Sequence, residues 1–208
     1  MAKQIEGVYE QLLECAKHEF LVKGFKDASL RTIAANAGTS TNSIYVRFQD
    51  KEGLFEAIVE PVVSGVLQLF CEIQETFHEF EPEIQKARVN EYSFKEMDRF
   101  LDYIYGNLDE FRLLLDASHG TRFQNFVDEL TRVEVEYTYK YMEVAGYMSA
   151  EDGEVTGEFL HMVTTAYFEG VFEVVRHGMD RGSAGRYVRM LERYHAAGFD
   201  TFFIRDNK

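Results

Sequence analysis

Only two prolines, Pro61 and Pro82, occur along 208 residues. The residue that removes a backbone donor and collides with the preceding turn is nearly missing, while long runs rich in Glu, Leu, Phe and Arg supply good helix formers. The chain therefore reads as all-α. A hydrophobic share of 46% against 28% charged residues suffices to bury a sizeable core. No stretch approaches the roughly 18 consecutive apolar residues of a membrane span, and the first residues carry charge where a secretory leader has its apolar core. The expectation is a cytoplasmic protein with no membrane partner. Cys15 and Cys71 fall inside apolar helical patterns and are read as reduced thiols rather than a disulfide.

The apolar spacing places the first helix on Ile5, Val8, Leu12, Cys15, Ala16 and Phe20, three and four residues apart, with a stop at Gly24. Ser29 is placed to cap a short second helix that turns Leu30, Ile33 and Ala34 inward, and Gly38 follows where a tight turn needs positive φ. Ser40 caps a third, Thr41 to about Phe48, with Ile44 and Phe48 inward and a polar outer face. Asp50 caps a fourth, Lys51 to about Glu60, carrying Leu54, Phe55 and Ile58 inward, and Pro61 is read as the first turn of the next helix. Beyond it, breaks are predicted at Glu81–Glu83, Gly106–Asn107, Ser118–Thr121, Gly146–Gly153 and Gly178–Gly185. They leave about five or six helices. Two of these, Phe123–Val144 and Val155–Val175, are long, and the second has apolar or small residues on nearly every side.

A formal charge of −14 argues against a nucleic-acid partner until its distribution is read. Residues 1–50 carry six basic and six acidic side chains, so the excess acid lies beyond them. From Lys23 to Lys51 the basic Lys23, Lys26, Arg31, Arg47 and Lys51 face only Asp27 and Asp50, a local +3.

A helix, a short turn containing Gly and a second short helix with a polar outer face is the arrangement in which the second helix enters a major groove. Over about its first 60 residues the sequence resembles the tetracycline-repressor (TetR) family of bacterial regulators. The resemblance runs through Gly24-Phe25, Ile33-Ala34, Ala37-Gly38, Ser40, Ile44-Tyr45, Phe48, Asp50-Lys51-Glu52 and Leu54. It implies an N-terminal three-helix helix-turn-helix DNA-binding domain, residues 1–50, joined to a larger helical-bundle domain, residues 51–208, that binds ligand and dimerises. It further implies that Thr41, Asn42, Ser43 and Val46 face base edges, that Tyr45 and Arg47 hold phosphates, and that Arg31 and Lys51 flank them. Physical chemistry supports these roles: Asn pairs bidentately with adenine, Thr and Ser hydroxyls reach bases or phosphates, and Val methyls touch the thymine methyl. Asn42 stands where the family usually has a small residue, and Val46 where an aromatic or His is common.

The expected function is that of a ligand-responsive transcriptional regulator, a repressor by the family's usual mode. It would bind palindromic double-stranded operator DNA as a homodimer and be released by a small-molecule effector, with no cofactor. Pairing of the two long late helices with their symmetry mates would supply the dimer. Residues 62–180 are rich in aromatic rings, most of them core, with a few left to line a ligand cavity. Phe100, Tyr103, His119, Arg122, His161 and Tyr167 are the candidate ligand contacts.

One rival comes from another class. The Glu-x-x-His spacing of carboxylate-bridged di-metal bundles occurs three times, at Glu75/His78, Glu158/His161 and Glu192/His195. Its bland counterpart is that Glu and His three apart are ordinary helix neighbours. The sequence carries no glycine-rich phosphate loop, GxSxG elbow or zinc pattern, and catalysis is not expected.

Overall fold

The structure, a computed structural model, describes residues 2–146 and 155–202, and among them every regular element is helical. In chain order these are α1 (Ala2–Asp27), α2 (Leu30–Asn36), α3 (Thr41–Phe48), α4 (Lys51–His78), α5 (Pro82–Gly106) and α6 (Leu108–Arg112). A π turn (Leu113–Ala117), a 3-10 turn (Arg122–Asn125), α7 (Phe126–Ala145), α8 (Gly157–Arg176) and α9 (Arg181–Phe202) follow. The chain forms two compact units, Met1–Gly65 with Asn107–Phe126, and Val66–Gly106 with Val127–Lys208. The helix-turn-helix domain read over residues 1–50 lies inside the first unit. That unit also takes in the start of α4 and a later excursion of the chain.

In the first unit, Leu12, Ala16 and Phe20 form the buried stripe of α1, each with no exposed surface. Gly24, at φ 71° and ψ 165°, breaks the helix where the sequence placed its stop. The Phe20 ring then meets Phe55 of α4 edge-on at 5.1 Å, Phe25 meets it at 5.5 Å, and Phe123 closes the cluster from the later excursion at 6.1 Å. Burying such a ring contributes roughly 2–3 kcal/mol. Arg122 anchors the same excursion: its guanidinium donates to Glu56 at 2.8 Å and to Glu60, and its backbone N–H to Glu52 at 3.1 Å.

The second unit is built on Phe70, Phe100, Phe168 and Phe172, with Phe70 to Phe168 at 5.6 Å and Phe70 to Phe100 at 5.8 Å. Arg181, in the first turn of α9, donates to Asp98 and Asp102 of α5. The Tyr105 hydroxyl donates to the Met179 carbonyl at 2.8 Å.

Pro61 corrects the sequence reading, since it starts no helix but lies inside the continuous α4. The buried residues Leu54, Ile58, Val62, Val66, Leu69, Ile73 and Phe77 keep one helical register across it, and Pro61 itself is on the exposed side. Burial of that unbroken stripe outweighs the lost backbone bond. Taken by length and composition alone α4 is apolar enough to cross a bilayer, yet half of its most apolar window is buried within the fold. The remaining breaks fall close to where the pattern put them, with two shifts. A 3-10 turn precedes α7, and α9 begins at Arg181, so Gly182 and Gly185 lie within it. Most of the break expected at Gly146–Gly153 lies outside the described residues.

Candidate nucleic-acid interface

The turn between α2 and α3 is set by local chemistry. Ser29 Oγ accepts the Thr32 N–H and Ser40 Oγ the Ser43 N–H, each at 3.4 Å, so both short helices start on the serines that the sequence marked. Gly38 adopts φ 63°, the left-handed conformation that this turn requires. A carboxylate counted in the sequence only as charge joins in, because buried Glu19 accepts the Ser29 N–H at 3.1 Å. Ile33, Ala34, Ala37, Ile44 and Phe48 are buried beneath the pair, which leaves the other side of α3 outward.

On that side Asn42 is exposed, Tyr45 is 53% exposed and Val46 is 74% exposed, an unusual display of apolar surface on a helix of eight residues. Asn42 and Val46 stand one turn apart along one edge. Arg31, Thr41, Tyr45 and Lys51 line a single surface concavity together with Ala28, Ser29 and Leu30. Ser43 is half-buried, and its hydroxyl and carbonyl both accept from Arg47, which folds back along α3. Lys51 is also tied down. Its Nζ donates to the carbonyls of Lys26 at 2.9 Å and Ala28 at 3.2 Å and lies 4.8 Å from the centre of the Phe25 ring. This ammonium therefore stitches the end of α1 to the start of α4 while it lines the concavity.

The entry into α4 is equally constrained. Asp50 Oδ1 accepts the Gly53 N–H at 2.8 Å, as its capping position predicts, and Gln49 takes φ 69° to turn the chain. A Cβ on Gly53 would stand 2.0 Å from the Phe48 carbonyl oxygen, so only glycine fits.

The second unit holds a cavity of about 160 Å³ between α4, α5, α7 and α8. Tyr167 is the one candidate ligand contact that lines it. Phe100 is buried against Phe70 and Phe172, Tyr103 lies elsewhere on α5, and His161 is exposed on α8. His119 is exposed and Arg122 is ion-paired, both within the first unit. The pattern gave these residues aromatic or polar character but not direction, which packing decides.

Sequence reasoning missed Gln74, Glu96 and Glu134 on the cavity wall. Gln74 Nε2 donates to Glu134 Oε2 at 2.6 Å, while burial pushes the Glu134 carboxyl up to about 7. The legible signal was a carboxylate inside an apolar stripe, Leu130, Glu134, Tyr137 and Tyr141, at helical spacing. Behind the wall, Glu192 is buried, accepts from Ser93 at 3.4 Å and is likewise raised to about 7 by burial. The His195 ring stacks on Tyr167 at 4.6 Å, and burial depresses it to about 4.

The di-metal reading is not favoured. Glu158 and His161 are both exposed, and among the described residues no three His, Cys, Asp or Glu side chains converge as metal ligands.

Residues 12–58 match the sequence profile of the bacterial regulatory proteins of the tetR family. An uncharacterised HTH-type transcriptional regulator of Haemophilus influenzae is 27% identical over 161 residues, 72% of this chain and 74% of that one. Among solved structures, the TetR family transcriptional regulator PfmR from Thermus thermophilus superposes with a TM-score of 0.62 at 17% identity, over 96% of each chain. NalD of Pseudomonas aeruginosa, the secondary repressor of the MexAB-OprM multidrug efflux pump, gives 0.56 at 17% identity, over 97% of this chain and 98% of its own. At those identities the two structures speak to fold alone.

Proposed function

Since the chain is a transcriptional regulator of the TetR family, we propose that it binds near-palindromic operator DNA as a homodimer in the cytoplasm, represses from there, and lets go when a small molecule fills the second unit. The observation that carries this reading is α3 itself. It is a short, doubly capped helix whose outward Asn42, Tyr45 and Val46 adjoin a concavity lined by Arg31, Thr41 and Lys51. In this reading Asn42 and Val46 read base edges, Thr41 and Ser43 contact bases or backbone, and Arg31, Tyr45, Arg47 and Lys51 take phosphates. The local +3 from Lys23 to Lys51 concentrates attraction there, and the acidic remainder limits adhesion elsewhere.

A dimer is needed to present two α3 helices about 34–36 Å apart, one turn of B-DNA. The pairing expected from the sequence, the α7 region with α8, does not suit the surfaces. The outward side of α7 is charged, with Asp128, Arg132, Glu136, Lys140 and Glu143, and α8 is apolar chiefly because it is the core of its own unit. Apolar surface is displayed instead on α9, at Tyr187, Met190 and Tyr194, and at Met162 of α8. We assign the dimer to α8 and α9. An effector that binds better to the state with the wrong α3 spacing shifts the population and frees the operator.

Promoter fragments from the gene's own locus, titrated by fluorescence anisotropy at several salt concentrations, test this reading. No binding in dilute buffer would end it. Asn42→Ala is expected to relax base preference at one operator position, seen as unequal losses across operator variants of about 1–3 kcal/mol. Lys51→Ala is expected to weaken all operators alike and to lower the salt slope by about one. An unchanged slope would leave Lys51 only its bonds to the Lys26 and Ala28 carbonyls.

A further inference from the structure

The cavity of the second unit combines two features that together specify a ligand. Its wall is largely aromatic, with Phe77 5.3 Å from Tyr92 and 5.9 Å from Tyr141, and Tyr92 is pinned by its hydroxyl donating to the Ile73 carbonyl at 2.9 Å. The wall also carries the carboxyl of Glu134, whose protein contact is the Gln74 amide; among the described residues no Lys, Arg or His lies within ion-pair distance of it.

The basic side chains nearby are committed elsewhere. Lys140 pairs with Glu136 at 2.7 Å and lies 4.0 Å from the centre of the Tyr137 ring, while Arg99 pairs with Glu96 and Glu72. His78, on the wall, is held below its ordinary range by burial, and so is His195 behind Tyr167, so neither supplies positive charge at neutral pH. The local balance is acidic: Glu134 and Glu96 line the space, and Glu192 lies behind Ser93 with its Oε2 buried and unpartnered. An aromatic enclosure with a carboxylate and no cation is the surrounding that an organic cation completes, through ring quadrupoles and a direct ion pair. An anion would meet Glu134 and Glu96 with no cation on the wall to offset them, and a neutral ligand would draw no ion pair from Glu134.

We propose that this cavity takes an organic cation: an ammonium that meets Glu134, on a compact apolar body enclosed by Phe77, Tyr92, Tyr137, Tyr141 and Tyr167. A volume of about 160 Å³ sets its size. Cavities of roughly 150 Å³ admit one benzene ring, so the fitting class is a single ring or equivalent with a short amine tail. The inference rests on the reading of this unit as the effector domain and names the chemistry of that effector.

Three probes of one shape decide the matter by calorimetry on the full chain at pH 8, where Glu134 is largely ionised: 2-phenylethylammonium, 2-phenylethanol and phenylacetate. The cation is expected to bind at least tenfold more tightly than the alcohol, and phenylacetate least tightly. Glu134→Gln is expected to erase the preference for the cation and leave the alcohol's affinity unchanged. Equal affinity for cation and alcohol, preference for the anion, or no binding of the cation in the millimolar range would overturn the proposal. If Glu134→Gln fails to fold, the ranking on the unmodified protein still decides. Operator release is a separate readout. A cation that binds without releasing DNA keeps the cavity's chemistry and removes the effector role. Release by other compounds, with no preference for the cation, does the reverse.

Discussion

Met190→Glu combined with Tyr194→Glu is expected to turn the protein into a folded monomer whose operator affinity is at least 100-fold weaker. Met190 is 71% exposed and Tyr194 79% exposed, so neither supports the fold of its own chain, and circular dichroism should stay unchanged. Both lie on the outward side of α9, one helical turn apart, in line with Tyr187. Across a two-fold axis such a stripe faces its own copy, so the two substitutions bring four carboxylates together. Like charges juxtaposed in an interface cost several kcal/mol, more than a few apolar contacts recover. The loss on DNA follows from geometry. A tethered second α3 sees its half-site at an effective concentration near the millimolar range, and a monomer forfeits that advantage. Sedimentation and anisotropy on one sample check both halves of the expectation. A dimer of unchanged operator affinity would show that α9 is not the interface.

Gly53→Ala gives the second large effect, and its sign separates two pieces of physics. Helix propensity alone favours alanine over glycine within a helix by up to about 1 kcal/mol. The structure predicts the opposite outcome, because the new Cβ would stand 2.0 Å from the Phe48 carbonyl oxygen and 3.1 Å from its carbon, both backbone atoms that no rotamer change can move aside. Relief requires the link between α3 and α4 to shift, at a cost of roughly 1–3 kcal/mol. That shift also displaces α3 relative to Lys51, so operator affinity should fall by tenfold or more while the second unit keeps its stability. A thermal midpoint at or above that of the unmodified protein would show that propensity wins and that the turn is looser than its geometry states.

The parts of this molecule that the sequence disclosed are those decided within a few residues. Ser29, Ser40 and Asp50 cap the helices they precede, and Gly38 turns the chain, because a cap or a positive φ is a local matter. What stayed hidden depends on partners far along the chain. Pro61 looks like a helix start until the buried register on either side of it is known. The apolar character of α8 suggested that most of the helix is interface, but Leu160, Phe168, Val171, Phe172, Val174 and Val175 are interior to its own unit, which leaves exposed Met162 for the proposed contact. Lys51 was placed beside the phosphate contacts, but nothing in the spacing foretells that its ammonium also donates to the carbonyls of Lys26 and Ala28. The cavity was the least legible, since a ring that fills a core and one that lines a void have the same letter. Glu134, a charge at an apolar register position, was the overlooked clue.

The return of Asn107–Phe126 to the first unit has a bearing on modularity. Its Phe111, Leu113, Leu114 and Phe123 are buried there, and Arg122 is clasped by acidic residues on successive turns of α4. The reading head is thus assembled from two separated stretches of the gene, with α5 encoded between them. Truncation after Gly65 would strip Phe123 from Phe55 and Arg122 from Glu56 and Glu60, so this regulator is not expected to survive as a stand-alone DNA reader or as one continuous grafted cassette.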